Sequence, residues 1–388
     1  MTLKLALPDT AASKIEYSLV GTPIERPNEV PEFSRIAYAA AHVVSDPARD
    51  HNPWQDPAID WDATIAFRRH LWSLGFKIAE AMDTSQRGMG LNWKGAQELI
   101  SRSLAESRTV AGADLACGAG TDQLAAAEAR SLDDVVKAYE EQFEFVEKHG
   151  GRAVMMASRA LASVAASAGD YEKVYGHVLS QAKDKVVLHW LGDMFDPNLA
   201  GYWGSSDFGP ALESVIRIIE ANKDKVEGIK ISLLDNEKEV ILRRRLPDGV
   251  LCFTGDDFNY ADMIEGDGEH YSHALLGIFD AVAPSASKGL AALARNDLST
   301  FREVLHPTVA LSRKIFETPT QFYKAGVVFL AWLNGHQNHF SMPAGMQSAR
   351  GILHYSEVFR LADQANVLDQ PELAVARMRH FVGLYGVK

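Results

Sequence analysis

The chain has 388 residues, 47% hydrophobic and 23% charged, and these fractions exclude a disordered or low-complexity protein. Its 39 lysines and arginines against 51 aspartates and glutamates give a net charge of −12, which argues against nucleic acid as a partner because phosphate backbones are also negative. Only two cysteines occur, which excludes a disulfide framework and a cysteine-ligated zinc site.

The first predicted element is an irregular or β-hairpin segment over residues 1–34, where Pro23, Pro27 and Pro31 interrupt regular structure. Its opening apolar stretch ends at a proline too early to form a signal peptide. No later window approaches 18 uncharged apolar residues, and the best candidate, residues 325–333, is typical of a buried helix. We therefore expect a cytoplasmic protein with no membrane partner.

Eight short apolar runs of the kind found in strands buried on both faces follow along the chain. Each precedes a turn and a helical pattern, and their ends are roughly 25 to 40 residues apart, the length of a strand, a crossover helix and two loops. Amphipathic helices are predicted at 61–75, 131–151 and 209–225, with Ser131 as an N-cap. The eight runs cover residues 36–44, 76–82, 110–118, 152–158, 185–191, 226–234, 250–255 and 273–282.

Eight βα units predict a closed (β/α)8 TIM barrel, with an open doubly wound sheet as the structural alternative. After the eighth run no further buried strand is evident, and the remaining segments have helical patterns. We therefore predict three parts: an N-terminal cap segment at residues 1–34, the barrel at 35–284, and a helical C-terminal extension at 285–388 that packs on the barrel.

Lys230 is the most informative residue for function, because active-site groups of a parallel barrel lie at the C-terminal ends of its strands. It stands within an apolar run between Ile229 and Ile231. A lysine that points into a barrel is desolvated, which lowers its pKa, and a neutral amine can attack a carbonyl to form a Schiff base. The alternative is a lysine at a strand edge, paired with Glu227 or Asp235.

The sequence around this lysine resembles the dihydrodipicolinate synthase / N-acetylneuraminate lyase family of class I aldolase-type barrels. The motifs that carry the resemblance are Gly228-Ile229-Lys230 and the turn Gly255-Asp256-Asp257. Most of the chain is similar in order and spacing, but only these two motifs match closely, as expected of a divergent branch. The resemblance implies that Lys230 is the Schiff-base lysine, that no cofactor is required, and that the protein forms a homo-oligomer.

The same register implies roles in substrate binding. Asp83, Thr84 and Ser85 take the place of the family loop that holds the carboxylate of a keto acid, and the two hydroxyls could bind it. Gly255 and Asp256 would contact the substrate from the turn beside the lysine.

The chain departs from the family at the end of its fourth strand. Arg159 and Ala160 stand where the family has tyrosines, so the tyrosine that relays protons is missing. His189 on the fifth strand is the predicted substitute, since imidazole titrates near neutrality, although a hydrogen-bonded core histidine is the alternative. Arg159 could hold a substrate carboxylate through two hydrogen bonds or pair with an acidic residue.

These features predict a Schiff-base-forming lyase, aldolase or dehydratase that acts on a keto acid or keto sugar acid. The first alternative is a metal-dependent isomerase, epimerase or lyase of sugars or sugar acids, although no tight ligand spacing supports a metal site. Its divalent ion would have nitrogen and carboxylate ligands from His42, Glu80, Asp83 and His189. The second alternative is a catalytically silent barrel that binds a ligand as a sensor.

Overall fold

The computed structural model describes residues 3–10 and 13–386. Residues 11 and 12, inside the predicted N-terminal segment, and the chain-terminal residues 1, 2, 387 and 388 lie outside this part. The strands are β1 (Lys4–Thr10), β2 (Ser13–Ser18), β3 (Ala37–Ala40), β4 (Lys77–Glu80), β5 (Leu115–Ala119), β6 (Arg152–Met155), β7 (Val186–Leu191), β8 (Val226–Ser232), β9 (Leu251–Thr254) and β10 (His273–Leu276).

Helices occupy most of the remaining described chain. The α-helices are α1 (Trp61–Ser73), α2 (Trp93–Ser107), α3 (Leu132–Lys148), α4 (Arg159–Val164), α5 (Ala168–Gln181), α6 (Phe208–Ala221), α7 (Asn236–Arg245), α8 (Tyr260–Glu265), α9 (Ile278–Ala281), α10 (Ala283–Ala294), α11 (Leu298–Leu305), α12 (Pro307–Ile315), α13 (Lys324–Leu333), α14 (Ile352–Gln364) and α15 (Pro371–Leu384). Short 3₁₀ helices occur at Asp83–Ser85, Pro197–Leu199, Tyr202–Gly204, Thr320–Phe322 and Pro343–Ala349.

Strands β3 to β10 form a closed barrel in the order β10-β3-β4-β5-β6-β7-β8-β9, and every neighbouring pair is parallel. The predicted (β/α)8 barrel with a helical C-terminal region is thereby confirmed, and the open sheet is excluded. Seven of the eight predicted runs contain one whole strand, shorter than the run itself, and in the third run β5 extends one residue beyond it, to Ala119. In the last run the strand ends at Leu276, because Gly277 already has helical dihedral angles and α9 follows.

Side chains alternate between the two faces of each barrel strand. The inner face is filled by a cluster that includes Tyr38, Ala79, Val187 and Phe253. The outer face packs through residues such as Ile229 against α3, α5 and α6. A residue that pairs in register with one of these inner residues also lies on the inner face. The same holds for a residue two positions away from one of them on the same strand.

Two predicted helix features are confirmed. Ser131 caps α3, and its hydroxyl accepts a hydrogen bond of 3.2 Å from the backbone N–H of Asp134. All ten residues of α13 are buried, as expected for the apolar run over 325–333. Within the described residues no helix combines the length and the hydropathy needed to cross a membrane.

The chain divides by its internal contacts into two compact units. The barrel unit consists of Arg35–Ala40 and Lys77–Leu276, and it contains all eight barrel strands. The helical unit consists of Met1–Ser34, Ala41–Phe76 and Gly277–Lys388. In the helical unit β1 and β2 pair as an antiparallel hairpin, and the Asp363 carboxylate accepts a hydrogen bond of 2.7 Å from the Tyr17 hydroxyl.

Candidate active site

Lys230 and His189 lie side by side on the inner face of the barrel. They occupy paired positions on β8 and β7, and Lys230 also pairs with the inward-facing Phe253 of β9. Lys230 is 8% exposed and His189 is fully buried. The lysine is therefore not at a strand edge, and its stem runs inside the barrel.

Burial controls the ionisation of both side chains. It lowers the pKa of the Lys230 amine from its usual 10.5, and the negative charges of Asp83 and Asp257 raise it in part. Burial, and then the positive charge of Lys230, hold the pKa of His189 well below 6.5. The imidazole is accordingly neutral at pH 7, and the amine loses its proton more readily than a surface lysine does.

His189 has one partnered ring nitrogen and one without a partner. Its Nε2 lies 3.3 Å from the hydroxyl oxygen of Ser232, which stands two residues after Lys230 on the same face of β8. For Nδ1, which is also buried, the described part of the chain offers no hydrogen-bond partner. This nitrogen is available to a group that enters the barrel.

Gly255 leaves room for the lysine. A Cβ at this position would lie 2.7 Å from Lys230 Cε and 2.2 Å from Ser232 Oγ, both closer than van der Waals contact. The backbone N–H of Gly255 donates to the carbonyl of Ile231 at 2.9 Å, which holds the end of β9 against β8. The glycine of the predicted turn thus contacts the lysine stem.

The two aspartates after this glycine differ in their surroundings. The Asp256 carboxylate accepts hydrogen bonds from the backbone of Phe258 at 2.9 Å and from the side-chain amide of Asn259 at 2.7 Å. Burial raises its pKa, although these hydrogen bonds oppose the shift. Asp256 therefore holds its own turn, and Asp257 is the residue whose charge acts on Lys230.

The segment after β4 forms a 3₁₀ turn over Asp83–Ser85. Thr84 and Ser85 are buried and do not line the cavity described below, whereas Asp83 does. Arg87 fixes the turn with two hydrogen bonds to Asp122, at 2.7 and 2.8 Å. Burial would raise the pKa of Asp122, but the charge and hydrogen bonds of Arg87 hold it below its ordinary value.

Arg159 begins α4, after β6. Its Nε donates to the carboxylate of Asp196, whose other oxygen is bound by the Asn198 side-chain amide at 2.9 Å. Its Nη1 lies 3.3 Å from the position of a Cβ at Gly88. Of the guanidinium nitrogens, only Nε has a hydrogen-bond partner among the described residues.

A cavity of about 370 Å³ joins these residues. Asp83, Arg159 and His189 line it, together with Leu124 and the Arg87–Asp122 pair. Lys230 is not a lining residue, but its register neighbour His189 and the Asp83 charge that acts on it both belong to the wall. The cavity thus combines acidic, basic and apolar surface next to the lysine.

The four alternative metal ligands do not come together. Glu80 follows the inward-facing Ala79 and so lies on the outer face of β4, in register with Cys117. His42 belongs to the helical unit, where its Nδ1 lies 2.8 Å from the carboxylate of Asp280. Within the described residues no group of three or more His, Cys, Asp or Glu side chains could hold a metal ion.

The sequence pattern does not predict a role for two neighbours of Lys230, which are Ser232 and Asp257. Ser232 could have been recognised, because a strand places every second residue on the same face. Asp257 could not be distinguished from Asp256, because the backbone course of the turn decides which carboxylate faces the lysine.

Comparison with known proteins agrees with this geometry at the level of the fold. The barrel is similar to crystal structures of dihydrodipicolinate synthase from Aquifex aeolicus (TM-score 0.64, 10% identity, covering 86% of this chain and 99% of that one) and Thermotoga maritima (TM-score 0.64, 15% identity, covering 87% and 100%). It is also similar to a prophage protein of the dihydrodipicolinic acid synthase family from E. coli K12 in complex with pyruvate (TM-score 0.63, 10% identity, covering 92% and 100%). The expected resemblance is thereby confirmed, at an identity low enough for a divergent branch.

Sequence comparison gives the family itself. No curated protein sequence matches the chain. The family described as "Protein of unknown function (DUF993)" matches residues 5–387, nearly the whole length. The chain therefore belongs to the DUF993 family, and its barrel has the fold of the dihydrodipicolinate synthases.

Proposed function

We propose that this protein is a lyase of the class I aldolase type, in which Lys230 forms a Schiff base with a keto acid or keto sugar acid. The observation that carries the proposal is the position of Lys230 on the inner face of β8, buried and paired with His189. Burial favours the neutral amine, which is the nucleophilic form. The fold likeness supports the proposal, because the motifs that resemble the aldolase-type family lie on β8 and at the end of β9.

Schiff-base formation begins with the attack of the amine on the carbonyl group of the substrate. The lone pair of the neutral amine forms a C–N bond to the carbonyl carbon, and the carbonyl oxygen takes up the π electrons and the proton that the nitrogen releases. The resulting carbinolamine takes up one proton and loses water, which leaves a positively charged iminium. In an aldol cleavage a base removes the proton of the β-hydroxyl, the Cα–Cβ bond breaks, and its electrons form the C=C bond of an enamine while the iminium nitrogen takes up the C=N π electrons. An enamine and an aldehyde result, and protonation and hydrolysis of the enamine free Lys230.

His189 is the proposed base for this proton transfer. Its neutral form can accept a proton, and it lies beside Lys230 in the wall of the cavity. The unpartnered Nδ1 is the atom that would take the proton, while Nε2 contacts Ser232. In this role the histidine replaces the relay tyrosine that is missing from the end of β6.

Substrate binding is assigned to the residues that share the cavity. Arg159 offers two η-nitrogens to a carboxylate, and Asp83 faces the same space. Gly255 contacts the lysine stem, whereas Thr84, Ser85 and Asp256 are proposed to shape the site from behind the cavity wall.

Borohydride trapping tests the function. The protein is incubated with a panel of 2-keto acids and keto sugar acids, reduced, and measured by intact mass and peptide mapping. We expect one adduct on Lys230, absent from Lys230→Ala and slowed in His189→Gln. An adduct that persists in Lys230→Ala, or no adduct with any compound, would remove the Schiff-base role. Tight binding without an adduct would instead identify a silent ligand-binding barrel.

A further inference from the structure

The hydroxyl group of Ser232 lies close to both side chains of the proposed chemistry. Its oxygen is 3.3 Å from Nε2 of His189, and within the described residues this hydroxyl forms no second hydrogen bond. The same oxygen and Lys230 Cε border a single point, the place that a Cβ on Gly255 would occupy. The hydroxyl therefore neighbours the imidazole and the last carbon before the amine.

Strand pairing holds this arrangement in place. Lys230 and Ser232 are two positions apart on β8, so their side chains share the inner face. Lys230 pairs in register with His189, and the carbonyl oxygen of Ser232 accepts a hydrogen bond of 3.0 Å from the backbone N–H of Gly192, just beyond β7. Ser232 is 1% exposed, so bulk water does not compete for its hydroxyl.

The burial of His189 restricts how this residue can transfer protons. Burial and the positive charge of Lys230 hold its pKa well below 6.5, so the doubly protonated ring is disfavoured. A neutral imidazole has one N–H donor and one acceptor nitrogen. It can give a proton from Nδ1 and remain neutral only if Nε2 takes up another. Nε2 therefore needs a proton donor, and Ser232 is the group in contact with it.

We propose that Ser232 relays to His189 the proton that the Lys230 amine releases when it attacks the substrate. In the resting protein the Ser232 hydroxyl donates to Nε2, so Nδ1 carries the N–H and presents it to the cavity that His189 lines. This inference rests on the Schiff-base function proposed above and assigns the proton transfer of its first step.

The relay moves three protons and leaves no charge on either residue. As the amine nitrogen bonds to the carbonyl carbon, it releases a proton to Ser232 Oγ. Ser232 gives its own proton to Nε2 of His189, and Nδ1 gives its proton to the carbonyl oxygen, which has taken up the π electrons. The nitrogen has lost one proton and the oxygen has gained one. The imidazole is left as the Nε2–H tautomer, whose free Nδ1 is the base that the cleavage step requires.

A double-mutant cycle tests the relay. The rate of iminium trapping on Lys230 is measured with pyruvate and excess cyanoborohydride in the wild type, Ser232→Ala, His189→Gln and the double variant. A positioned proton-transfer group contributes about 100-fold or more, so we expect Ser232→Ala to slow the wild type at least about tenfold. It should have no further effect in His189→Gln, because the two residues act in one chain. A wild-type rate in Ser232→Ala, or losses that multiply in the double variant, would overturn the relay.

Ser214→Ala is the matched control for the loss of a hydroxyl group. Ser214 is also a buried serine of the barrel unit, and its hydroxyl donates to the carbonyl of Pro210 at 3.1 Å. This variant should keep the wild-type trapping rate. A loss equal to that in Ser232→Ala would mean that any buried hydroxyl has the same effect, which would contradict the relay.

Nitrogen-15 NMR of the histidine-labelled protein separates this inference from the proposed function, because it needs no substrate. The His189 signals, identified by their absence from His189→Gln, should show the Nδ1–H tautomer in the wild type and lose that preference in Ser232→Ala. The Nε2–H tautomer in the wild type would overturn the inference even where Lys230 is trapped. The expected tautomer without trapping of any keto acid would refute the Schiff-base function and leave the Ser232 to His189 hydrogen bond standing.

Discussion

The position of the Lys230 amine depends on one glycine. Gly255 does not have a positive φ, so its requirement comes from close contacts: an added Cβ would meet Lys230 Cε, Ser232 Oγ and, at 2.9 Å, the backbone carbonyl oxygen of Ile231. Since the two nearest of these atoms belong to side chains on the inner face of β8, an added atom at position 255 must move groups that the proposed chemistry uses.

Gly255→Ala should therefore slow trapping on Lys230. A displacement of about 1 Å at a reacting group can cost roughly 100-fold in rate, and we expect a loss of that order. Two quantities are measured for each variant: the rate of borohydride trapping, and the urea concentration at the midpoint of unfolding. Gly209→Ala in α6, where an added Cβ meets nothing within 4 Å, is the matched control. A trapping rate equal to that of the control would show that the contact does not position the amine.

Arg87 holds another part of the cavity wall in place. Its buried guanidinium donates to Asp122, to Gln142 and to the carbonyls of Ala81 and Gly118. Arg87→Met leaves Asp122 without its counter-charge and several acceptors unpaired, so we expect destabilisation of about 3 to 5 kcal/mol.

Chemical unfolding in urea checks this value. Arg102→Met removes an exposed pair with Glu98 on α2 and should cost at most about 1 kcal/mol. Equal costs for the two variants would mean that the Arg87 network contributes no more than a surface ion pair.

At the scale of elements, the barrel strands could be predicted because parallel strands buried on both faces are almost continuous apolar runs. Lys230 was recognisable as the charge inside such a run. Pairing between distant segments was not recognisable. Arg243, the first of three consecutive arginines, is buried, and Asp267 and Ser272 from beyond β9 accept its hydrogen bonds. Turn geometry, which separates Asp256 from Asp257, was equally absent from the sequence pattern.

Helix α7 also carries a buried carboxyl group. Glu239 is fully buried and accepts hydrogen bonds from Ser272 at 2.7 Å and Thr254 at 2.9 Å. Burial raises its pKa from 4.5 to about 8, against the hydrogen bonds that lower it. The folded chain therefore holds a proton that the unfolded chain releases above pH 4.5.

The stabilising effect of the proton on Glu239 is full below pH 4.5. It is lost as the pH rises through about 8, at up to about 1.4 kcal/mol per pH unit. Glu239→Gln, which mimics the neutral carboxyl, should remove this decline from urea unfolding free energies measured between pH 5 and 8. Glu213→Gln is the control, because the Arg245 pair lowers the pKa of Glu213 and keeps it ionised over that range. A decline of wild-type size in Glu239→Gln would exclude Glu239 as its source.

At the scale of the whole chain, the two compact units contain different groups whose pKa values are shifted by full or partial burial. The barrel unit has Lys230, His189 and Glu239. The helical unit has a pair of histidines in ring contact, His70 and His336, with ring centres 4.4 Å apart and planes tilted by 38°. Stability should therefore depend on pH through separate groups in each unit, on the alkaline side for Glu239 and on the acidic side for the histidine pair.

The histidine pair predicts acid sensitivity of the helical unit. Burial, together with charges from the partner ring and Arg26, lowers the pKa of His70 to about 3. Burial, followed by His42 and Arg26 and opposed by Asp280, lowers that of His336 to about 4. Both rings stay neutral in the fold, while the unfolded chain takes up protons below pH 6.5. Their stabilising effect is full above pH 6.5 and is lost as the pH falls toward these values.

His336→Phe keeps a ring against Phe67 and His70 but removes one proton site. The pH slope of the urea unfolding free energy between pH 6.5 and 4.5 should become shallower by up to about 1.4 kcal/mol per pH unit. Phe340→Leu, which trims packing against Trp332 without changing a titrating group, should lower stability equally at every pH. Because only proton linkage changes the slope, a slope in His336→Phe equal to that of the wild type would show that His336 takes up its proton equally in the folded and the unfolded chain.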